Sequence, residues 1–322
     1  MKSIAYVFSA LILLLASAIT VAQPYPNRPI KVIIPFPAGG GTDIFARTVG
    51  QKLTENYKWT VVPENRPGAG GNLGIEAVSN SPADGYTIGL GQTSNLAINP
   101  TLYPKLPYEP AKDLTPIALV ASSPLVIVVA ANSPFKTFAD IAAAAKAKPD
   151  QITYGSPGNG TVAHLGMELL QKTAGINLQH IPYKGSAQAL TDIVGGQIQI
   201  YASSVPTAMG QIKDGRLRAI AVTSLKRSAS LPETPTIAES GWPGFEAITW
   251  FGFVAPAKTP APIIKELNAN INSILKMPEV RSKLMGEGGE ILGGTPEQFS
   301  TLLNKDTARW ARVIQDANVK ID

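Results

Sequence analysis

Three segments of the chain combine glycine with a hydroxyl residue where a strand would hand over to a helix. Pro35-Phe-Pro-Ala-Gly-Gly-Gly-Thr-Asp43 is the first, Gly155-Ser-Pro-Gly-Asn-Gly-Thr161 the second and Tyr183-Lys-Gly-Ser186 the third. Glycine lets the backbone turn tightly and approach a ligand, and Thr42, Thr161 or Ser186 is placed to cap the helix that follows. The chemistry such turns offer is anion binding. Orphan N–H groups and the positive end of the helix dipole face the crevice at the strand ends. None of the three is a nucleotide loop: no Lys-Ser/Thr follows at Walker spacing, and Gly39-Gly40-Gly41 lacks the G-x-G-x-x-G pattern.

The titratable residues near these turns leave alternatives open. A carboxylate at Asp43 repels a bound anion at short range, so Asp43 either stabilises the helix dipole or accepts a hydrogen bond from a water or a ligand donor. His164 falls in the first helical turn after Thr161, on the polar side with Glu168 and Gln171, as a surface or capping residue or as a ligand contact. His180 sits within a strand and reads as structural. Two histidines 16 positions apart do not make a metal centre. Lys184, between a strand end and a helix start, is a solvated lysine or a point charge for a carboxylate. Trp250-Phe-Gly-Phe253 is a cleft wall or core. The absence of cysteine excludes thiolate catalysis, disulfides and thiolate metal sites, and no G-x-S-x-G nucleophile turn is present.

The elements that would position these turns alternate in a regular way. A β-branched apolar run, a polar turn and a segment of helical spacing recur along the chain, which argues for parallel-rich sheets with crossover helices. Lys31–Phe36, Trp59–Val62, Tyr86–Leu90, Leu125–Ala130, Ile152–Tyr154, Gln179–Tyr183, Gln197–Tyr201 and Leu217–Thr223 read as strands. Phe45, Val49 and Leu53 recur every four residues on the first helix. The Pro-rich stretch from Tyr103 to Pro116 reads as irregular, and three helices follow Thr259, Pro278 and Thr295. Residues 1–22 have the order of a secretory signal peptide, namely a Lys2 tip, an apolar core and small residues before Gln23. About 300 residues remain, enough for two domains. With 28 Lys and Arg against 23 Asp and Glu the net charge is +5, a slight bias towards anions with no block of the kind nucleic acid requires.

From end to end the mature sequence resembles the tripartite tricarboxylate transporter receptors, also called Bug receptors. The resemblance is carried by Tyr25–Asp43, Glu64-Asn-Arg-Pro-Gly-Ala-Gly-Gly-Asn72, Ala83-Asp-Gly-Tyr-Thr87, Ala97-Ile-Asn-Pro100, Ser156-Pro-Gly-Asn-Gly-Thr161, Pro182-Tyr-Lys-Gly185, Ala219-Ile-Ala-Val-Thr-Ser224, Pro243-Gly-Phe245 and Gly294-Thr-Pro-Glu-Gln-Phe299. It implies an α/β fold of two Rossmann-like lobes, a periplasmic clamshell closing on a carboxylated ligand without metal or cofactor. The candidate ligand contacts are then Phe36, Ala38, Gly40, Gly41, Thr42 and Asp43 of the first turn. Gly158, Thr161 and His164 belong to the second, Tyr183 and Lys184 to the third, Gln92 and Ser94 to a further loop. Many family members carry Asp where this chain has Ser203, before Ser204-Val205-Pro206. A serine cannot pair with an ammonium group, which weakens an amino-acid ligand.

The expected organisation is a signal peptide over 1–22, a discontinuous first lobe of 23–123 plus 225–322, and a second lobe of 124–224. The expected activity is capture of a small organic acid and delivery to a membrane permease of the tripartite type. A loaded form that touches a sensor kinase is the alternative, and an enzyme on the same fold a weaker one. The protein is expected to be a monomer in the periplasm without nucleic-acid partners. Thr42 and Thr161 are expected to share the ligand carboxylate through their hydroxyls, with the anion joining the lobes.

Overall fold

The computed structural model describes residues 25–321, so the export segment expected over 1–22 lies outside the described residues. β1 (Ile30–Ile34) leads into α1 (Gly41–Tyr57), and β2 (Val61–Asn65), α2 (Asn72–Ser79) and β3 (Thr87–Gln92) follow. β1 lies between β2 and β3 and is parallel to both. Phe45, Val49 and Leu53 are no more than 1 % exposed. Their four-residue spacing is the stripe that α1 lays on the sheet.

The short helix α3 (Asn99–Leu102) precedes the stretch expected to be irregular, and α4 (Pro110–Asp113) interrupts it. Their prolines stand in the first turn, where the missing N–H has no partner to lose. Next comes β4 (Leu114–Ala130), a strand of 17 residues. Sequence reading finds only its second half, because Pro116 and Pro124 argue against a strand before Leu125. Both prolines sit at breaks in the ladder instead: the register with β9 shifts just after Pro116 and ends at Pro124.

A second parallel unit follows α5 (Phe138–Ala147). It comprises β5 (Thr153–Ser156), α6 (Val162–Ala174), β6 (Gln179–Pro182), α7 (Ser186–Val194), β7 (Ile200–Ser204), α8 (Val205–Lys213) and β8 (Leu217–Val222). β5 lies between β6 and β7, parallel to both. β9 (Ile248–Pro256) then joins β3 to β4, antiparallel to each, and the two-residue β10 (Glu290–Ile291) also pairs with β4. α9 (Ala261–Leu275), α10 (Pro278–Gly286) and α11 (Pro296–Asp316) complete the chain.

The strands run β2-β1-β3-β9-β4-β7-β5-β6, two α/β lobes hung on one long strand. Up to Pro124 β4 serves β9; from Leu125 it serves β7 and β8. Trp250, Phe251 and Phe253 of β9 are core rather than cleft wall: the Trp250 indole donates to Asp306 Oδ2 at 2.6 Å, and Phe251 meets Phe45 edge to face.

Candidate functional site

A cavity of about 260 Å³ lies between the lobes, and four helices begin at its wall. Gly40, Gly41 and Thr42 open α1; Thr161, Val162 and Ala163 open α6. Gly185, Ser186 and Ala187 open α7, while Ser203, Ser204 and Thr207 mark the entry to α8. The four run 17, 13, 9 and 9 residues, long enough for each to present a positive end. Among the described residues no ionisable side chain lines the cavity. The site is thus electropositive through oriented N–H groups alone, which suits an anion without requiring a counter-ion.

How the helices are capped decides which N–H groups stay free. Thr161 caps α6 as expected: its Oγ1 accepts from His164 N–H at 3.2 Å and donates to Gly158 O at 2.8 Å. Thr42 and Ser186 do not cap. Gly40 and Gly185 hold the cap positions of α1 and α7, and neither helix has a side-chain cap. The turn after β1 is two residues shorter than the cap reading needs, so Thr42 already lies inside α1. Its hydroxyl donates to Gln92 Oε1 at 3.2 Å, and Gln92 Nε2 donates to the buried Ser94 Oγ at 3.1 Å. Both threonine hydroxyls thus donate within the protein, Thr42 to Gln92 and Thr161 to Gly158.

Direct hydrogen bonds also join the lobes. Gly41 N–H donates across the cleft to Thr207 Oγ1 at 3.2 Å, and Tyr103 Oη donates to Asn159 O at 3.3 Å. Two glycines permit the approach. A Cβ on Gly41 would stand 3.1 Å from Ser204 Oγ, and one on Gly185, whose φ is +125°, 2.6 Å from Pro37 Cγ.

Of the residues singled out from sequence, Phe36, Ala38, Gly40, Gly41, Thr42, Gln92, Thr161 and Ser203 line the cavity. Asp43 does not. Its carboxylate accepts from Gly39 N–H at 3.0 Å, Asn65 Nδ2 at 3.0 Å and Arg47 Nε at 2.8 Å, so it braces the first turn from behind. Gly158, Tyr183 and Lys184 line a neighbouring hollow of about 560 Å³ on the other side of Phe36 and Pro37, and Tyr183 Oη donates to Asp192. His164 is 5 % exposed rather than superficial. Its ring stacks on His180 at 4.2 Å, His180 stacks on Tyr154 at 4.7 Å, and His164 Nδ1 accepts from Gly160 N–H. His180 Nε2 lies 2.7 Å from Ser156 Oγ. Burial lowers His164 to about 3 and His180 to about 4, so the stack is neutral near pH 7.

The fourth helix start went unread. Ser204 and Thr207, whose hydroxyls lie 3.0 Å apart, are shaped by the strand end and by Pro206 in the first turn of α8. The pair Val205-Pro206 after a strand was the available signal, since proline favours the first turn.

Residues 45–319 match the model of the "Tripartite tricarboxylate transporter family receptor". The chain is 37 % identical over 301 residues to BugT of Bordetella pertussis, covering 93 % of this chain and 92 % of that protein. Among solved structures, Rpa4515 of R. palustris with adipate superposes with a TM-score of 0.90 at 34 % identity, covering 92 % of this chain and 99 % of the other. MatC from Rhodopseudomonas palustris with bound malate does so at 0.85 and 29 %, covering 90 % and 100 %. With a family match over most of its length and a relative this similar along nearly the whole sequence, the chain belongs to the tripartite tricarboxylate transporter receptor family.

Proposed function

We propose that the protein is a periplasmic receptor that captures one small carboxylated organic acid between its lobes and delivers it to a membrane permease of the tripartite type. The observation that carries this reading is the convergence of four helix starts on an interlobe cavity lined by no ionisable side chain. Such a wall stabilises an anion through backbone donors and offers an ammonium group no counter-charge. Relatives of the same fold were solved with adipate and with malate, both carboxylates.

In this reading the first lobe is 23–123 plus 225–322 and the second 124–224. Gly40 and Thr42, through their backbone N–H groups, with the starts of α7 and α8, supply the carboxylate donors, while Gly41 N–H holds Thr207. Thr42, Gln92 and Thr161 hold the walls in register, and Ser203 faces the ligand.

The test is mass spectrometry of the compound released from purified protein, followed by calorimetry with that compound. One carboxylic acid bound 1:1, with affinity unchanged by a chelator, is the expected result. A released compound without a carboxylate, or conversion of the acid during titration, contradicts the proposal.

A further inference from the structure

The second glycine turn meets the first lobe at a place away from the anion cavity. Asn99 opens α3 and Tyr103 caps its end, four positions apart and so on one face. Tyr103 Oη donates to Asn159 O at 3.3 Å, and the Asn99 amide, wholly buried, is wedged between Gly70 and Gly160. A Cβ on Gly160 would stand 2.4 Å from Asn99 Oδ1, and one on Gly70 2.7 Å from Asn159 O and 3.2 Å from Asn99 Nδ2. Gly160 and Gly70 have positive φ, +74° and +64°, so only glycine lets the two lobes approach this closely here.

Counting protons settles which way the buried amides face. With Asn99 Nδ2 directed at Asn72 Oδ1, 2.6 Å away, its second proton has only Gly70 O at 3.5 Å. That arrangement also leaves the single Tyr108 proton two acceptors to serve, Asn72 Oδ1 at 3.0 Å and Asn95 O at 2.7 Å. Turning both amides about their last bonds removes the conflict. Asn99 Nδ2 then donates to Ser94 O at 3.3 Å and to Gly160 O at 3.2 Å, and Asn99 Oδ1 takes up the 2.6 Å contact with Asn72 as an acceptor. The Asn72 amino group gives its other proton to Tyr108 Oη, whose own proton goes to Asn95 O. Each side-chain proton of Asn99 and Tyr108 then has an acceptor, and one of those acceptors belongs to the second turn. Buried polar groups are nearly always paired, which favours this arrangement. The same network reaches the cavity wall, since Asn95 Oδ1 accepts from Gln92 N–H at 3.0 Å.

We infer that Asn99, with Tyr103 beside it, is the latch of the closed cleft: a positioning residue that ties Asn159 and Gly160 of the second turn to the first lobe. The inference rests on the carboxylate-receptor reading above and adds to it what holds the lobes shut. Neither residue lines the cavity, so the latch lengthens the stay of any bound acid without choosing between acids. It acts after closure and therefore on release, since lobes that are still apart do not make these bonds.

Rapid-mixing kinetics on the mature protein test this with succinate, malate, glutarate, adipate and the compound released from the purified protein, using every probe that the wild type binds. Tyr103→Phe and Asn99→Leu should each release all of these probes about threefold to tenfold faster, the worth of one neutral hydrogen bond. Association should stay within about twofold, so the order of affinities among the acids is kept. Tyr103→Phe carries the test alone if Asn99→Leu does not fold. Unchanged release in the folded variants, or weakening that falls on some acids and not others, overturns the latch and leaves the receptor reading intact. If the wild type binds none of the acids and the compound it carries is not an acid, the receptor reading has failed. Small-angle scattering of the ligand-free protein then decides the latch by itself. A wild type more compact than Tyr103→Phe supports it, and equal radii of gyration overturn it.

Discussion

The first and second glycine turns look alike in sequence and are wired in opposite ways. In the second, Thr161 caps α6, its proton is given to Gly158 O, and Gly160 N–H is taken by His164 Nδ1. A stack of His164, His180 and Tyr154 backs that turn. In the first, the cap is Gly40, which has no side chain to give, and the bracing comes from Asp43 on the side away from the cavity. Gly41 N–H reaches the opposite lobe, to Thr207 Oγ1. A saturated turn makes a rigid wall; an uncapped one keeps donors for a guest or a facing lobe. The same motif can therefore serve either end, and the residue at the cap position decides which.

Substitutions that treat the two turns alike would break this contrast. The largest effect is expected at Gly41→Val, whose side chain must enter the space between α1 and Ser204 when the lobes meet. Overpacking of this kind costs about 1–3 kcal/mol, so affinity measured by calorimetry should fall roughly tenfold to a hundredfold. The ligand-free protein can open to avoid the clash, and its melting temperature should change little.

The histidine stack sets the next effect. Both histidines have folded values, about 3 and about 4, below the value of 6.5 of a free histidine. The unfolded chain then binds more protons below pH 6.5, so their contribution to stability is complete above that pH and is lost as pH falls towards 4. Each histidine adds a slope of up to about 1.4 kcal/mol per pH unit in that window. Glu168, which accepts from Tyr154 Oη, also faces the stack. Urea unfolding at pH 7, 5.5 and 4.5 measures the slope, and His180→Gln should flatten it by about half.

A smaller pair of effects separates the caps themselves. Thr161→Ala removes a true N-cap and should cost about 1 kcal/mol of stability, with Thr161→Ser close to wild type. Thr42→Ala removes only the bond to Gln92 and should leave the melting temperature within a degree or two, with affinity falling less than tenfold. Equal losses of stability in the two alanine variants would contradict the contrast.

Part of this was legible in the residues and part was not. The strand, glycine turn and helix rhythm gives the lobes, and the spacing of Phe45, Val49 and Leu53 gives the buried face of α1, because both are local patterns. β4 was half hidden because proline's effect on a strand depends on which ladder positions it occupies, and those belong to β9. Asp43 and His164 were ambiguous for a related reason. Their roles are fixed by Asn65 and His180, residues distant in sequence that only the fold brings beside them. The cap of α1 lies two positions before Thr42, which makes Thr42 a wall residue instead of a helix cap.

Hydrogen exchange of the backbone amides, with and without the acid the protein carries, tests most directly whether the open helix starts hold the anion. The ligand should slow exchange at Gly40 and Thr42 and at Ser186 and Ala187, and leave Gly41 and His164, already bonded to Thr207 and Thr161, nearly unchanged. Protection confined to the start of α6, with none at α1 or α7, would contradict the account.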